Sequence, residues 1–357
     1  MFVACFIIEC KDTKKAAIFS FLFQIGVCSI HIFLTFVSIN DNMKILIATK
    51  THEYLLDELQ KAQHQCELHI LKDSMELEDI IADYEGIVIN SRFVIDRKII
   101  DKAPHLKFVA RVGAGMESID VEYLQQKNIQ CFNSPEGNRQ AVAEHTLGML
   151  LNLMHKLHTA DQQVRKGIWL REENRGIELS GKTLGIIGYG NMGSAFARCL
   201  YGFDINVIAY DKYKTHYSDD YVCEKTLEEV FAQADIVSMH VPLTAETHYM
   251  VNDAFINAFQ KNIFLLNTSR GKVVNTEDVV KNLKSGKLLG AGLDVIEYES
   301  LSFEQLSVDK FPEPFQYLIH ADNVILTPHI AGLTVESNLK HAQVLAGKIL
   351  GAFGRST

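Results

Sequence analysis

Apolar residues along this chain fall into short β-branched runs that alternate, from Lys44 onward, with segments whose apolar positions recur at helical spacing. The first series reads KILIAT, a helix over 54–64, CELHIL, a helix around 77–82, GIVIN, a helix near 97–102, and KFVARV ending in Gly113 and Gly115. A short strand, IQCFN, follows, and the spacing then predicts one long helix over about 138–163 that bridges into a second series. That second series holds LGII, VIAYD, a helix over 227–232, DIVSMHVP, a helix around 253–258, FLLNTSRG, a helix over 276–284, GAGLDV and NVILTPHIAG. Strands alternating with helices predict α/β architecture with parallel sheets, and the second series supplies the six strands of a doubly wound sheet. A last helix over about 335–350 is expected to pack back on the first domain.

Residues 1–42 depart from this pattern. Positions 16–39 carry no formal charge and follow Lys11, Lys14 and Lys15, a run long enough to span a bilayer. No small-x-small cleavage pattern follows it, which weighs against a signal peptide. Two readings stay open: a membrane anchor, or sequence translated upstream of a start at Met43, which opens the first strand.

The formal net charge of −9 and scattered basic residues argue against a nucleic-acid partner. Seven cysteines form no CxxC and no metal-like pairing with histidine, as expected of a reducing, cytoplasmic setting and of a protein without a bound metal.

The chemistry concentrates where strands end. Leu184–Gly193 reads strand, tight turn, helix, with Gly188 permitting the turn, Gly190 admitting a pyrophosphate and Gly193 letting helix pack on strand. Asp211 closes the next strand 18 residues beyond Gly193, near the spacing of the acidic residue that binds the adenosine ribose, and favours NAD over NADP. In the first series, Asn90, Ser91, Arg92 and the turn 111–116 lie at carboxyl ends of strands, where ligands sit in open sheets. Three further strand-end residues face the same crevice: Arg270, able to clamp a carboxylate, and Glu299 with His329, a pair suited to moving a proton.

Taken with the ordered segments VARVGAGMESID, NSPEGNRQAVAEHTLGMLL, GYGNMG with Asp211, HVPLTAET, NTSRG, GLDVIEYE and TPHIAG, the chain resembles the D-isomer-specific 2-hydroxyacid dehydrogenase family over essentially all of residues 43–357. The resemblance implies a Rossmann-type nucleotide domain, residues 141–330, inserted in a discontinuous flavodoxin-like substrate domain made of residues 43–140 and 331–357, and a homodimer formed through the nucleotide domain. It implies that Arg270 binds the substrate carboxylate and polarises the keto group, that His329 donates the proton, and that Glu299 orients His329. Cofactor contacts carry over to Gly188, Gly190, Asn191, Met192, Gly193, Asp211, Val241, Pro242, Thr247, Thr268 and Asp294, and the amides of Ala114 and Gly115 would receive the substrate carboxylate. The expected activity is NAD-dependent interconversion of a 2-keto acid and its D-2-hydroxy acid, with D-3-phosphoglycerate dehydrogenase as an alternative and an NAD-sensing corepressor as an alternative of another class. Two departures matter. Ser300 stands where the family usually follows its glutamate with proline, so the choice of Glu299 over Glu297 rests on its spacing of five from Asp294. Asn90 occupies the position of a phosphate-binding arginine in many phosphoglycerate dehydrogenases, with Arg92 and Arg111 as the candidate substitutes.

Overall fold

Near-continuous burial along the inner strands of the first sheet places buried side chains on both of its faces, so helices must cover both. The computed structural model describes residues 42–299 and 312–353. Its first sheet holds β1 (Lys44–Ile47), β2 (Gln65–Leu68), β3 (Gly86–Ile89), β4 (Phe108–Arg111) and β5 (Gln130–Phe132), all parallel, in the order β2-β1-β3-β4-β5. This is the flavodoxin-like order. Leu46, Ile87, Ile89 and Val109 bury against Leu77 of α2 (Ser74–Ile80), Ile99 and Ile100 of α3 (Arg97–Asp101) and Leu124 of α4 (Val121–Gln126). Ile45, Ile47, Val88 and Phe108 face the other way, onto Leu55 and Leu59 of α1 (Glu53–Lys61). The same face is completed by Ala342, Leu345, Ala346 and Ile349 of the last helix, Val335–Phe353, so the end of the chain returns to the first sheet as expected.

Between the sheets the single long helix is broken. α5 (Pro135–Met154) ends at a turn in which Lys156 adopts a left-handed φ of 53°, and α6 (Leu157–Arg165) begins anew. The break has a local cause: the Asn152 side chain accepts the His158 N–H at 2.8 Å, offering the new helix a partner that an unbroken helix would not need. Gly137 lies where α5 crosses the last helix, and a Cβ there would stand 2.8 Å from the His341 backbone nitrogen.

The second sheet comprises β6 (Thr183–Ile187), β7 (Asn206–Tyr210), β8 (Cys223–Glu224), β9 (Ile236–Met239), β10 (Ile263–Asn267), β11 (Leu288–Leu293) and β12 (Val324–Leu326), parallel in the order β12-β11-β10-β9-β6-β7-β8. It has seven strands rather than six, because the two-residue edge strand β8 is too short to leave a hydrophobic period. On one face, Leu184, Ile186 and Leu266 pack with α5 and α7 (Asn191–Cys199). On the other, Ile187, Val237 and Leu265 pack with α8 (Leu227–Gln233), α9 (Asp253–Ala258), α10 (Thr276–Ser285) and α11 (Glu313–His320), after which the last helix is α12. The architecture is a Rossmann-type nucleotide domain inserted in a discontinuous flavodoxin-like domain. Among the described residues no helix is long and apolar enough to cross a membrane, and the expectations for 1–42 lie outside those residues apart from Asn42. Cys66, Cys131, Cys199 and Cys223 are free thiols.

Candidate active site

The turn after β6 has a conformation that few residues can take. Gly188 has a φ of +93°, and a Cβ there would lie 2.6 Å from the His240 carbonyl oxygen, so both its backbone and its surroundings demand glycine. Gly193, in the first turn of α7, is constrained by space instead, since its Cβ would meet the Gly188 carbonyl oxygen at 2.2 Å. Gly190 differs from both. It is the N-cap of α7, without a side-chain cap, and a Cβ there would meet nothing within 4 Å. Open space above the N-terminus of a helix, over the first-turn amides of Asn191, Met192 and Gly193, fits a dinucleotide pyrophosphate. Asp211, directly after β7, is fixed beside it. One oxygen accepts the Tyr189 N–H at 2.8 Å and the other the Tyr213 and Lys214 N–H groups at 2.9 and 3.1 Å. Such a carboxylate suits the adenosine ribose hydroxyls, so this cradle fits NAD.

The remaining cofactor candidates line the neighbouring strand ends. Val241 and Pro242 follow β9, and the Thr247 hydroxyl donates to the Pro242 carbonyl at 2.6 Å, closing that turn. Thr268 follows β10, buried, with its hydroxyl 3.0 Å from that of Thr146 on α5. Asp294 follows β11 and is 1% exposed. In this structure its carboxylate is committed to the turn after β12: it accepts the Thr327 hydroxyl at 2.6 Å and the Ile330 and Ala331 N–H groups at 2.9 Å each. His145 adds a third element to this knot, its Nε2 standing 3.1 Å from the Thr327 hydroxyl.

That turn carries His329, a non-glycine residue held at a φ of 56° while its N–H donates to the Asp294 carbonyl at 2.7 Å. Backbone of this kind persists where its surroundings over-determine it, a common property of functional sites. The His329 Nδ1 stands 2.9 Å from Glu299 Oε2. A carboxylate only accepts, so Nδ1 carries the hydrogen of this bond. Glu297 has other duties: it accepts the Thr276 N–H at the start of α10 and the Tyr249 hydroxyl. Burial works to raise the Glu297 carboxyl, but those donors hold it below the usual carboxylate range. Of the two glutamates, Glu299 is the one that faces His329.

Arg270, after β10, brings the two sheets together. Its Nε donates to Glu117 Oε1 at 2.7 Å and its Nη1 to the Ser269 carbonyl at 2.7 Å. Glu117 belongs to the loop after β4, whose Ala114 carbonyl is held by Asn133 Nδ2 at 2.7 Å and whose Gly113 N–H reaches the Ser134 hydroxyl at 3.1 Å. Arg111 lies 3.8 Å from the other Glu117 oxygen. A Cβ on Gly115 would fall within 2.7 Å of Arg270, Glu117 and Arg111 alike, so this loop rests directly on the charged cluster. The Asn90, Ser91 and Arg92 turn stands beside it after β3, where Asn90 Oδ1 accepts the Arg92 N–H at 3.0 Å, and among the described residues Arg92 makes no ion pair. Glu117 was not foreseen. In the sequence it is one acid in a turn, and nothing local to it points to a partner 153 positions away.

Comparison with known proteins shows what the chain as a whole is similar to. Residues 147–331 match the family model described as "D-isomer specific 2-hydroxyacid dehydrogenase, NAD binding domain". The chain is 32% identical over 313 residues to D-3-phosphoglycerate dehydrogenase of Archaeoglobus fulgidus, covering 86% of this chain but 57% of that protein. It is 34% identical over 288 residues to hydroxypyruvate reductase of Thermotoga maritima, covering 80% of this chain and 90% of the relative. The crystal structure of D-lactate dehydrogenase from Aquifex aeolicus complexed with NAD and lactic acid superposes with a TM-score of 0.74 at 28% identity, over 87% of this chain and 95% of that one.

Proposed function

The chain belongs to the D-isomer-specific 2-hydroxyacid dehydrogenases, a family of NAD-dependent oxidoreductases, and from that premise we propose that it interconverts a short 2-keto acid and the corresponding D-2-hydroxy acid. The observation that carries this reading is the His329–Glu299 hydrogen bond of 2.9 Å between the segments that follow β12 and β11, the latter adjoining β10, which Arg270 follows. Gly188, Gly190 and the first turn of α7 hold the pyrophosphate, and Asp211 holds the adenosine ribose. The chemistry that NADH would supply when held there is hydride donation to the substrate. The Ala114 and Gly115 amides and the Arg270 guanidinium receive the substrate carboxylate, and Arg270 also stabilises negative charge growing on the keto oxygen. His329, as imidazolium, gives that oxygen a proton in reduction; as neutral imidazole it takes one in oxidation. Glu299 holds the ring in place through Nδ1. In this reading, residues 43–140 and 331–357 form the substrate domain and residues 141–330 the nucleotide domain.

Relatives of this chain are named for glyoxylate, hydroxypyruvate and 3-phosphoglycerate, and these define the substrates to try. Steady-state oxidation of NADH with glyoxylate, hydroxypyruvate, pyruvate and 3-phosphohydroxypyruvate tests the proposal. Turnover of at least one is expected; an enzyme preparation that binds NADH yet reduces no 2-keto acid would refute it. A homodimer through the nucleotide domain is supported by apolar side chains left exposed on and after α6, Leu157, Val164, Ile168, Trp169 and Leu170 among them. Sedimentation of Trp169→Glu against the unaltered protein tests that contact.

A further inference from the structure

Within the reading given under Proposed function, the geometry points to Glu117 as the residue that positions Arg270 for the substrate. The argument starts from the donors of the guanidinium. Arginine offers five N–H groups in a fixed plane. In this structure Nε is taken by Glu117 at 2.7 Å and one Nη1 hydrogen by the Ser269 carbonyl at 2.7 Å, which leaves the rest of the Nη edge for a ligand. Two bonds at different corners of a planar group fix its orientation as well as its position. The Ser269 bond comes from the adjacent residue of the same loop, so among the described residues only Glu117 ties the guanidinium to the opposite sheet.

The charges are consistent with a fixed cluster. Arg111 is nearly buried, its Nε and Nη1 make no hydrogen bond, and its guanidinium stands 3.8 Å from the Glu117 oxygen. Burial works to raise the Glu117 carboxyl, but the charges of Arg270 and Arg111 and the hydrogen bonds it accepts outweigh it, so the carboxylate stays ionised. One carboxylate between two arginines leaves a net single positive charge facing the loop of Ala114 and Gly115, the complement of one substrate carboxylate. The alternative is that Glu117 imitates the substrate and blocks its place. The Nε bond argues against it, because Glu117 engages the Nε corner while Arg270 Nη2, against which Gly115 packs, makes no hydrogen bond among the described residues.

The two roles predict opposite results for Glu117→Gln, which keeps the shape and removes the charge. If Glu117 positions Arg270, kcat/KM for the preferred 2-keto acid falls at least tenfold with a loss in kcat as well as a rise in KM, oxamate binds the NADH complex more weakly by calorimetry, and NADH affinity is unchanged. Glu117→Asp recovers part of the loss. If oxamate binds more tightly and KM falls, Glu117 is a blocking group and the proposal is overturned. A separate readout does not depend on turnover: in the full chain labelled with 15N-arginine, the Nε–H signal lost in Arg270→Lys should be protected from exchange in the unaltered protein and exposed in Glu117→Gln. An Nε–H equally protected in both overturns the proposal, whereas a protein that shows the expected loss of protection but reduces no 2-keto acid refutes only the functional reading on which it was built.

Discussion

Glu299 and Glu297 are two residues apart, yet their surroundings separate them completely. Glu297 is held by Tyr249 and by the start of α10, while Glu299 meets His329 Nδ1 at 2.9 Å. A test of the dyad follows from that geometry. Reduction draws a proton from the ring and oxidation returns one, so a ring held in register serves both directions. Glu299→Gln keeps the shape but replaces the charged acceptor of the Nδ1 bond by a neutral amide, a weaker partner. Turnover should therefore fall at least tenfold in both directions in Glu299→Gln and stay in place in Glu297→Gln. A fall confined to the Glu297 variant would exchange their roles. At this scale Arg270 and His329 could be read in the sequence because each follows the end of an apolar run within a few residues, and Glu299 by its spacing of five from Asp294. Glu117 could not, since its meaning comes from Arg270, which only the folded chain brings near.

The β6–α7 element shows how one fingerprint contains glycines with different physical duties. Gly193 packs, with its Cβ position 2.2 Å from the Gly188 carbonyl oxygen, and Gly190 keeps space open. Alanine at Gly193 must move backbone, at a cost of about 1–3 kcal/mol for an overpacked site, and should weaken NADH binding along with thermal stability. Alanine at Gly190 adds a methyl group where nothing stands within 4 Å, so stability should hold while NADH affinity drops at least tenfold. Equilibrium NADH fluorescence and thermal unfolding of the two variants check the distinction; equal loss of stability in both would mean that Gly190 also serves packing. Strands were legible as apolar runs even at the three residues of β5 and β12, whereas helices α4 and α11, set in longer connecting segments, were not foreseen. The break between α5 and α6 was not legible, because apolar residues continue through 138–163 while the interruption is marked only by the left-handed Lys156 and by Asn152 accepting the His158 N–H. Edge strand β8 escaped for the opposite reason, having too few residues to show any period.

At the scale of the whole molecule, one consequence of the chain path is that residues distant in sequence share a core. α12 follows the second sheet but buries Ala342, Leu345, Ala346 and Ile349 against Met43, Ile45 and Phe108 of the first. The expectation that the last helix returns to the first domain is met by this packing. His341 ties the same helix to the loop that supports the site: its Nδ1 lies 2.8 Å from the Ser134 hydroxyl, which in turn accepts the Gly113 N–H. Ile349 is fully buried, so Ile349→Ala should cost about 2–5 kcal/mol, the range for large-to-small changes in a core. The loss falls on the first sheet and its loops, whereas the NAD cradle after β6 makes no use of that core. Urea unfolding of the variant should therefore begin at lower denaturant, and 2-keto acid turnover should be lost in that early range while NADH fluorescence enhancement persists. If NADH binding and turnover disappear together across one transition, the two sheets unfold as a single cooperative unit, and α12 would stabilise the cradle as much as the sheet on which it lies.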